Sequence, residues 1–109
     1  MADQIGVSRK RLPVPRDSLS PQDAVALGHE IRNRREQLGL TQEELADKSG
    51  VTRNQIQVIE RGWADRAKRR PANPRLATLL GLSEALGMRV RIDMAVPSKV
   101  SVEFEPVTD

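Results

Sequence analysis

The 109-residue chain has no cysteine, which removes disulfide cross-links, thiolate zinc sites and thiol nucleophiles and fits a reducing compartment. Histidine occurs once. His29 projects away from the line through Leu27 and Ile31 and has no neighbouring ligand residues, so it reads as a solvated surface group and not as a metal ligand. Trp63 is the only tryptophan and no second ring accompanies it, which favours packing at a domain edge over stacking on bases. No segment approaches the ~18 consecutive apolar residues of a membrane helix. Residues 1–20 lack the apolar run of ~7–15 residues that a secretory signal requires. The expectation is a soluble, cytoplasmic protein with no membrane partner. A metal cluster, a glycine-rich phosphate loop and a nucleophile beside a base are also missing, so the sequence predicts no enzyme and no cofactor.

What the chain does have is charge in particular places. Its length suits one domain with a modest core, and its formal charge is +3. Residues 1–20 hold four basic and two acidic side chains, a net of +2, and residues 63–74 hold four basic and one acidic, a net of +3. The stretch between is close to neutral. Cations in two flanking segments suit a molecule that grips phosphates from its sides, although a merely soluble basic surface is the competing reading.

The stretch from Thr41 to Gly62, TQEELADKSGVTRNQIQVIERG, reads as two short helices joined by a tight turn. Thr41 and Glu44 form the T-x-x-E pattern of a capping box, and Thr52 and Gln55 repeat it as T-x-x-Q. Gly50 falls where the first helix must end on a positive φ, which glycine adopts without a Cβ clash. Leu45, Ala46, Val51, Ile56 and Ile59 are spaced to bring one face of each helix against the other. The remaining face of the second helix carries Arg53, Asn54, Gln57 and Val58, an exterior of amide and guanidinium groups with few acids.

This stretch resembles the helix-turn-helix of the Xre family, the lambdoid phage repressor and Cro type. The matching residues are Gln42, Glu43, Leu45, Ala46, Gly50, Val51, Thr52, Ile56 and Ile59 to Gly62, and the likeness extends over about residues 21–87. The resemblance implies a mainly α fold: a lambda-repressor-like helix-turn-helix bundle of four to five helices, here with a C-terminal β-strand or hairpin. It implies double-stranded DNA as partner, with Arg53 and Asn54 at the principal base-contact positions and Gln57 or Val58 secondary. Their chemistry agrees, since Asn and Gln suit adenine, Arg suits guanine and Val can touch a thymine methyl. Gln42 matches the family's phosphate-contact glutamine, at a helix N-terminus that also favours an anion. An ion pair from Arg35 to Glu60 is implied as well. The expected DNA-binding set is Gln42, Thr52, Arg53, Asn54, Gln57, Val58, Arg61, Lys68, Arg69 and Arg70.

The flanks complete the reading. Residues 1–19 look like a flexible basic arm, either an idle tail or a minor-groove contact. Ser20 and Pro21 start a helix that should run to about Leu38, with Ala24, Leu27, Ile31 and Leu38 inward and Gly39 as its stop. WADRAKRRPAN, residues 63–73, is longer and more basic than the loop usual here in the family, and Lys68, Arg69 and Arg70 suit DNA backbone contact, with a solvated turn as the bland alternative. Asn73 and Pro74 should open a further helix whose Leu76, Leu79, Leu80, Ser83 and Leu86 face the core. Met88 to Met94 alternates apolar and charged residues, the period of a half-buried strand, with a weaker repeat at Val100, Val102 and Phe104. A lone strand needs a partner. The same strand of a second copy, giving a homodimer through residues 88–96, is set against a hairpin within the chain; the tail resembles that of the HipB-like antitoxin branch of the family.

The resulting organisation is an arm (1–19), a helix-turn-helix DNA-binding domain (20–87) and a β-strand dimerisation tail (88–109). The functional expectation is a dimeric repressor of a palindromic operator, nucleoid-associated when DNA-bound. The alternative is an antitoxin that also holds a toxin protein and regulates its own operon.

Overall fold

The structure, a computed structural model, describes residues 19–95 and 99–107. The basic arm expected over residues 1–19 therefore lies outside the described residues except for Leu19. That residue is not part of any arm: it is buried in the core. It immediately precedes the N-cap Ser20, while Ala24, also in the core, sits at the fourth helical position; this is the spacing of a hydrophobic staple.

Helix α1 (Pro21–Gln37) begins as its sequence dictates, with the Ser20 hydroxyl accepting from the Asp23 N–H at 3.1 Å and proline at the first helical position. Ala24, Leu27 and Ile31 point inward. Leu38 does not: it is the C-cap residue, 42% exposed, and Leu40 packs against the core beyond the Gly39 turn in its place. Helices α2 (Gln42–Ser49) and α3 (Arg53–Arg61) form the helix-turn-helix, each opened by a complete capping box. Gly50, at φ +75, turns the chain between them. Across this unit α1 lies on α3 so closely that a Cβ at Gly28 would collide with the Ile59 carbonyl oxygen. Only hydrogen fits there.

After α3 the chain departs from the expected loop. Trp63–Asp65 (β1) and Arg70–Pro71 (β2) pair antiparallel, with Trp63 opposite Pro71 and Asp65 opposite Arg70. The turn between them contains no glycine; Asp65 Oδ1 accepts the Lys68 N–H at 3.1 Å, and Arg69 takes the left-handed conformation at φ +54. Its guanidinium lies 5.7 Å from the Trp63 ring centroid, a cation–π contact that helps hold a backbone L-residues rarely adopt. Because turn chemistry here comes from aspartate and arginine and not from an Asn-Gly pair, sequence pattern alone does not announce the hairpin.

Helix α4 (Leu76–Leu86) starts later than Asn73-Pro74 suggest, with Arg75 as its N-cap. Ala72 is buried and its N–H donates to the Gly62 carbonyl at 2.9 Å, so the chain stays extended past the base of the basic hairpin before it can coil. The inward stripe also differs from expectation. Leu79, Leu82, Ser83 and Leu86 are buried, whereas Leu76 and Leu80 are 56% and 53% exposed. The leucines spread over nearly half of the circumference of this helix, wider than the stripe that is buried, so periodicity alone leaves its rotation open. Packing decides it: a Cβ at Gly81 would meet the Ser49 carbonyl oxygen at 2.8 Å, which sets the side of α4 that abuts the end of α2.

Two final strands, β3 (Met88–Ala95) and β4 (Lys99–Pro106), pair antiparallel within the chain, Val90 opposite Phe104 and Ile92 opposite Val102. The intrachain alternative thus holds for this pairing. Met88, Val102 and Phe104 are buried in the same core as α1 and α4, and the Phe104 N–H donates to Glu30 Oε1 at 3.3 Å. On the opposite face Arg91 pairs with Glu103 and Glu105 in solvent. This sheet has two strands only, so no further strand lies along the outer edge of β3 or β4 among the described residues.

Candidate nucleic-acid interface

Two threonines set the geometry. The Thr41 hydroxyl accepts the Glu44 N–H at 3.0 Å while the Glu44 carboxylate accepts the Thr41 N–H at 2.8 Å. At the start of α3 the Thr52 hydroxyl accepts the Gln55 N–H at 3.2 Å and Gln55 Oε1 accepts the Thr52 N–H at 3.2 Å. Each box satisfies two of the backbone donors that a helix start leaves open, contributing ~1 kcal/mol to helices too short to persist alone. Thr52 and Gln55 are therefore committed as caps. Arg53 and Asn54, the next two residues on the turn, are exposed; Gln57 and Val58, one turn on, are half-buried.

Arg35 and Glu60 lock α3 to α1. Arg35 Nε donates to Glu60 Oε2 at 2.7 Å and Nη2 to Oε1 at 3.0 Å, a bidentate pair whose side chains are only 11% and 5% exposed. Arg35 Nη1 also donates to the Leu40 carbonyl at 2.8 Å, and Gln42 Nε2 donates to Glu60 Oε1 at 3.0 Å. Hydrogen bonding to Glu60, against the opposing effect of burial, holds the Arg35 guanidinium above its ordinary pKa. Arg35 therefore carries its positive charge at ordinary pH. Gln42, expected only as an outward-facing group, thus has one of its amide N–H groups directed inward to this pair.

Arg61 continues the Arg53–Gln57 stripe at intervals of four residues, and its Nε donates to the Trp63 carbonyl at 2.9 Å. The first strand of the basic hairpin is therefore bonded to the stripe itself. Lys68, Arg69 and Arg70 lie on that hairpin and are exposed, with Arg69 drawn over Trp63. Trp63 also lines a shallow apolar cleft with Pro21, Val25 and Ala26 at the start of α1, an edge-packing position. On the other flank of α3, a cleft of about 290 Å³ separates Asn54, Gln55 and Val58 from the Ala72–Arg75 segment and Thr78. Nothing in the sequence singles out Arg75. A cation following Pro74 at a helix start carries no pattern of its own, and its place opposite Asn54 depends on where Ala72 is anchored.

The architecture is that of a class of proteins built to carry one helix on a rigid bundle. Residues 31–92 match the family model described as Helix-turn-helix, and the chain belongs to this family of Xre-type helix-turn-helix transcriptional regulators. An uncharacterized HTH-type transcriptional regulator from Methanothermobacter thermautotrophicus is 59% identical over 32 residues, which is 29% of this chain and 46% of that protein. The chain thus spans less than half the length of the curated relative it matches. Among solved structures, the restriction-modification controller protein C.AhdI from Aeromonas hydrophila is 37% identical with a TM-score of 0.50, over 60% of this chain and 86% of that one. A hypothetical transcription factor, NHTF, from Neisseria is 29% identical with a TM-score of 0.48, over 71% of this chain and 79% of that one. The family is one of DNA-binding regulators and not of enzymes. Among the described residues, no helix is long and apolar enough to cross a membrane.

Proposed function

We propose that the protein binds double-stranded DNA sequence-specifically and acts as a dimeric repressor of a palindromic operator. The observation that carries this reading is the exposed Arg53–Asn54 turn, continued by Gln57, Val58 and Arg61, on a helix fixed by a capping box at one end and a buried bidentate ion pair at the other. Rigid placement of paired donors and acceptors is what reading base edges in a major groove requires. Arg53 addresses guanine and Asn54 adenine, with Gln57 and Val58 secondary. Thr52 and Gln42 lie at the helix starts, where backbone donors and the helix dipole favour phosphate. Lys68 and Arg70 supply further backbone contacts, and Arg69 supports them from its seat on Trp63.

Residues 20–87 are the reading unit and β3 the dimerising element. Its outer edge is open and Ile92 is 43% exposed, so a partner's β3 extends the sheet and covers that side chain. Two recognition helices then address half-sites about 34–36 Å apart. Such a protein works in the cytoplasm, at the nucleoid. A second reading, antitoxin, is favoured by one feature: Leu76 and Leu80 form an exposed apolar pair on α4 that DNA has no use for and a toxin protein would cover.

Selection of bound sequences from random duplex DNA tests the reading, with a dyad-symmetric consensus as the expected result and no enrichment as the result against it. Within the consensus, Asn54→Ala should lose discrimination at one base position by about 1–3 kcal/mol in competition binding, and unchanged preference at every position would remove Asn54 from the site. Replacing Lys68 and Arg70 together by alanine should weaken all sequences alike. The slope of log affinity against log salt should fall by about 2, near 0.9 for each phosphate that is no longer neutralised. A slope equal to wild type would place the hairpin away from the backbone.

A further inference from the structure

The basic hairpin has features that backbone contact alone does not use. Its apex is Arg66-Ala67-Lys68, two exposed cations on either side of a residue that contributes one methyl group, so the tip is both narrow and positive. Neither Arg66 nor Lys68 has a side-chain partner among the described residues. The tip is also stiff. Asp65 closes the turn through the Lys68 N–H, the Arg69 N–H donates to the Arg66 carbonyl at 3.0 Å, and Arg69 is clamped over Trp63 in a left-handed conformation. Both limbs of the hairpin are tied to the reading helix: β1 through Arg61 and the Trp63 carbonyl, and the segment after β2 through the Ala72 N–H, which donates to the carbonyl of Gly62, the C-cap of α3. A tip held this firmly by local bonds is pre-shaped, so it loses little conformational freedom on entering a rigid, negatively charged groove.

We propose that the Arg66-Ala67-Lys68 tip enters the minor groove beside the half-site read by α3, where Arg66 selects a narrow, A·T-rich flank. The minor groove is about 6 Å wide, and A·T tracts narrow it further and deepen its negative potential, which draws in an arginine. Guanidinium is more weakly hydrated than ammonium and loses less on entering such a groove, so Arg66 carries the selection while Lys68 meets the phosphates at its rim. The methyl of Ala67 lets the apex approach where a larger side chain would strike the groove walls. This inference rests on the DNA reading above and adds a second determinant of specificity outside the contacts of α3.

The test uses the full chain in fluorescence-anisotropy titrations with duplexes that share one selected core and differ only in their flanks: A·T, G·C or inosine·C. Inosine lacks the N2 amino group that guanine places in the minor groove, while its major-groove acceptors match those of guanine. Wild type should bind A·T and inosine·C flanks roughly five- to tenfold more tightly than G·C flanks. Arg66→Ala should lose that preference, Arg66→Lys should keep a small part of it, and both should retain the preference for the core. Wild-type indifference to the flank, tight binding to A·T but not inosine·C flanks, or an Arg66→Ala variant with the full preference would each overturn the proposal. In all three cases an intact core preference leaves the reading by α3 standing; absence of any core preference in wild type would remove that reading and this one together.

Discussion

Arg35→Ala is expected to lower stability by about 3–5 kcal/mol, measured by thermal or denaturant unfolding, because it leaves the Glu60 carboxylate, only 5% exposed, without its counter-charge. An exposed pair of the same residues would cost below ~1 kcal/mol. With the guanidinium go its hydrogen bonds to both Glu60 oxygens and to the Leu40 carbonyl. The remaining Gln42 amide supplies a single neutral donor to Glu60 and does not replace them. Against a total stability of ~5–15 kcal/mol for a typical domain, the loss is a large share of what holds the fold. Arg35→Lys should recover little, since an ammonium group cannot span both carboxylate oxygens and the carbonyl in one plane. Because hydrogen bonding raises the Arg35 pKa, deprotonation of this partner does not limit the pair at ordinary pH. Its contribution is fully present below the unfolded-state pKa of arginine and fades only above the still higher folded value. A melting shift equivalent to less than about 1 kcal/mol would show that the pair is not the lock between α1 and α3.

Phe104→Ala should cost a similar ~3–5 kcal/mol, the range for removing a phenylalanine from a closed core. Phe104 is 3% exposed and lies in one cluster with Leu27 and Ile31 of α1 and Leu82 and Leu86 of α4. Its loss opens a cavity where the C-terminal hairpin meets the helices. Val107→Ala, just past the end of β4, is the control: with that residue 48% exposed, unfolding should shift by less than about 1 kcal/mol. If the β-tail were a separate dimerising appendage, Phe104→Ala would leave the helical unfolding transition unchanged and alter only self-association. Coincident loss of helix and hairpin signals in one transition is the expected result.

The contrast between these two sites shows how far sequence reaches. Both capping boxes, the left-handed turn at Gly50, the start of α1 and the alternation of β3 follow from neighbours at most four residues apart, and the structure has each of them. The Arg35–Glu60 pair spans 25 residues, and it is legible only through the resemblance of the whole motif to a known family. Leu38 and Leu80 look apolar and inward by spacing, yet both are exposed, since the C-cap position of α1 and the rotation of α4 depend on what the helix ends meet in space.

The sequence by itself determined the helix-turn-helix, the composition of its outward face and the placement of cations around it, because caps, turns and periodicity are short-range properties written in adjacent side chains. Tertiary structure decided the rest. The basic loop became a hairpin only once Ala72 was buried and Arg69 could close over Trp63; α4 took its inward stripe from the approach of Gly81 to Ser49; and β3 found its partner in β4 because Phe104 and Val102 fill the space that α1 and α4 leave between them. Each of these is a question of which surfaces fit when distant segments meet, and close packing answers it in a way that spacing along the chain does not.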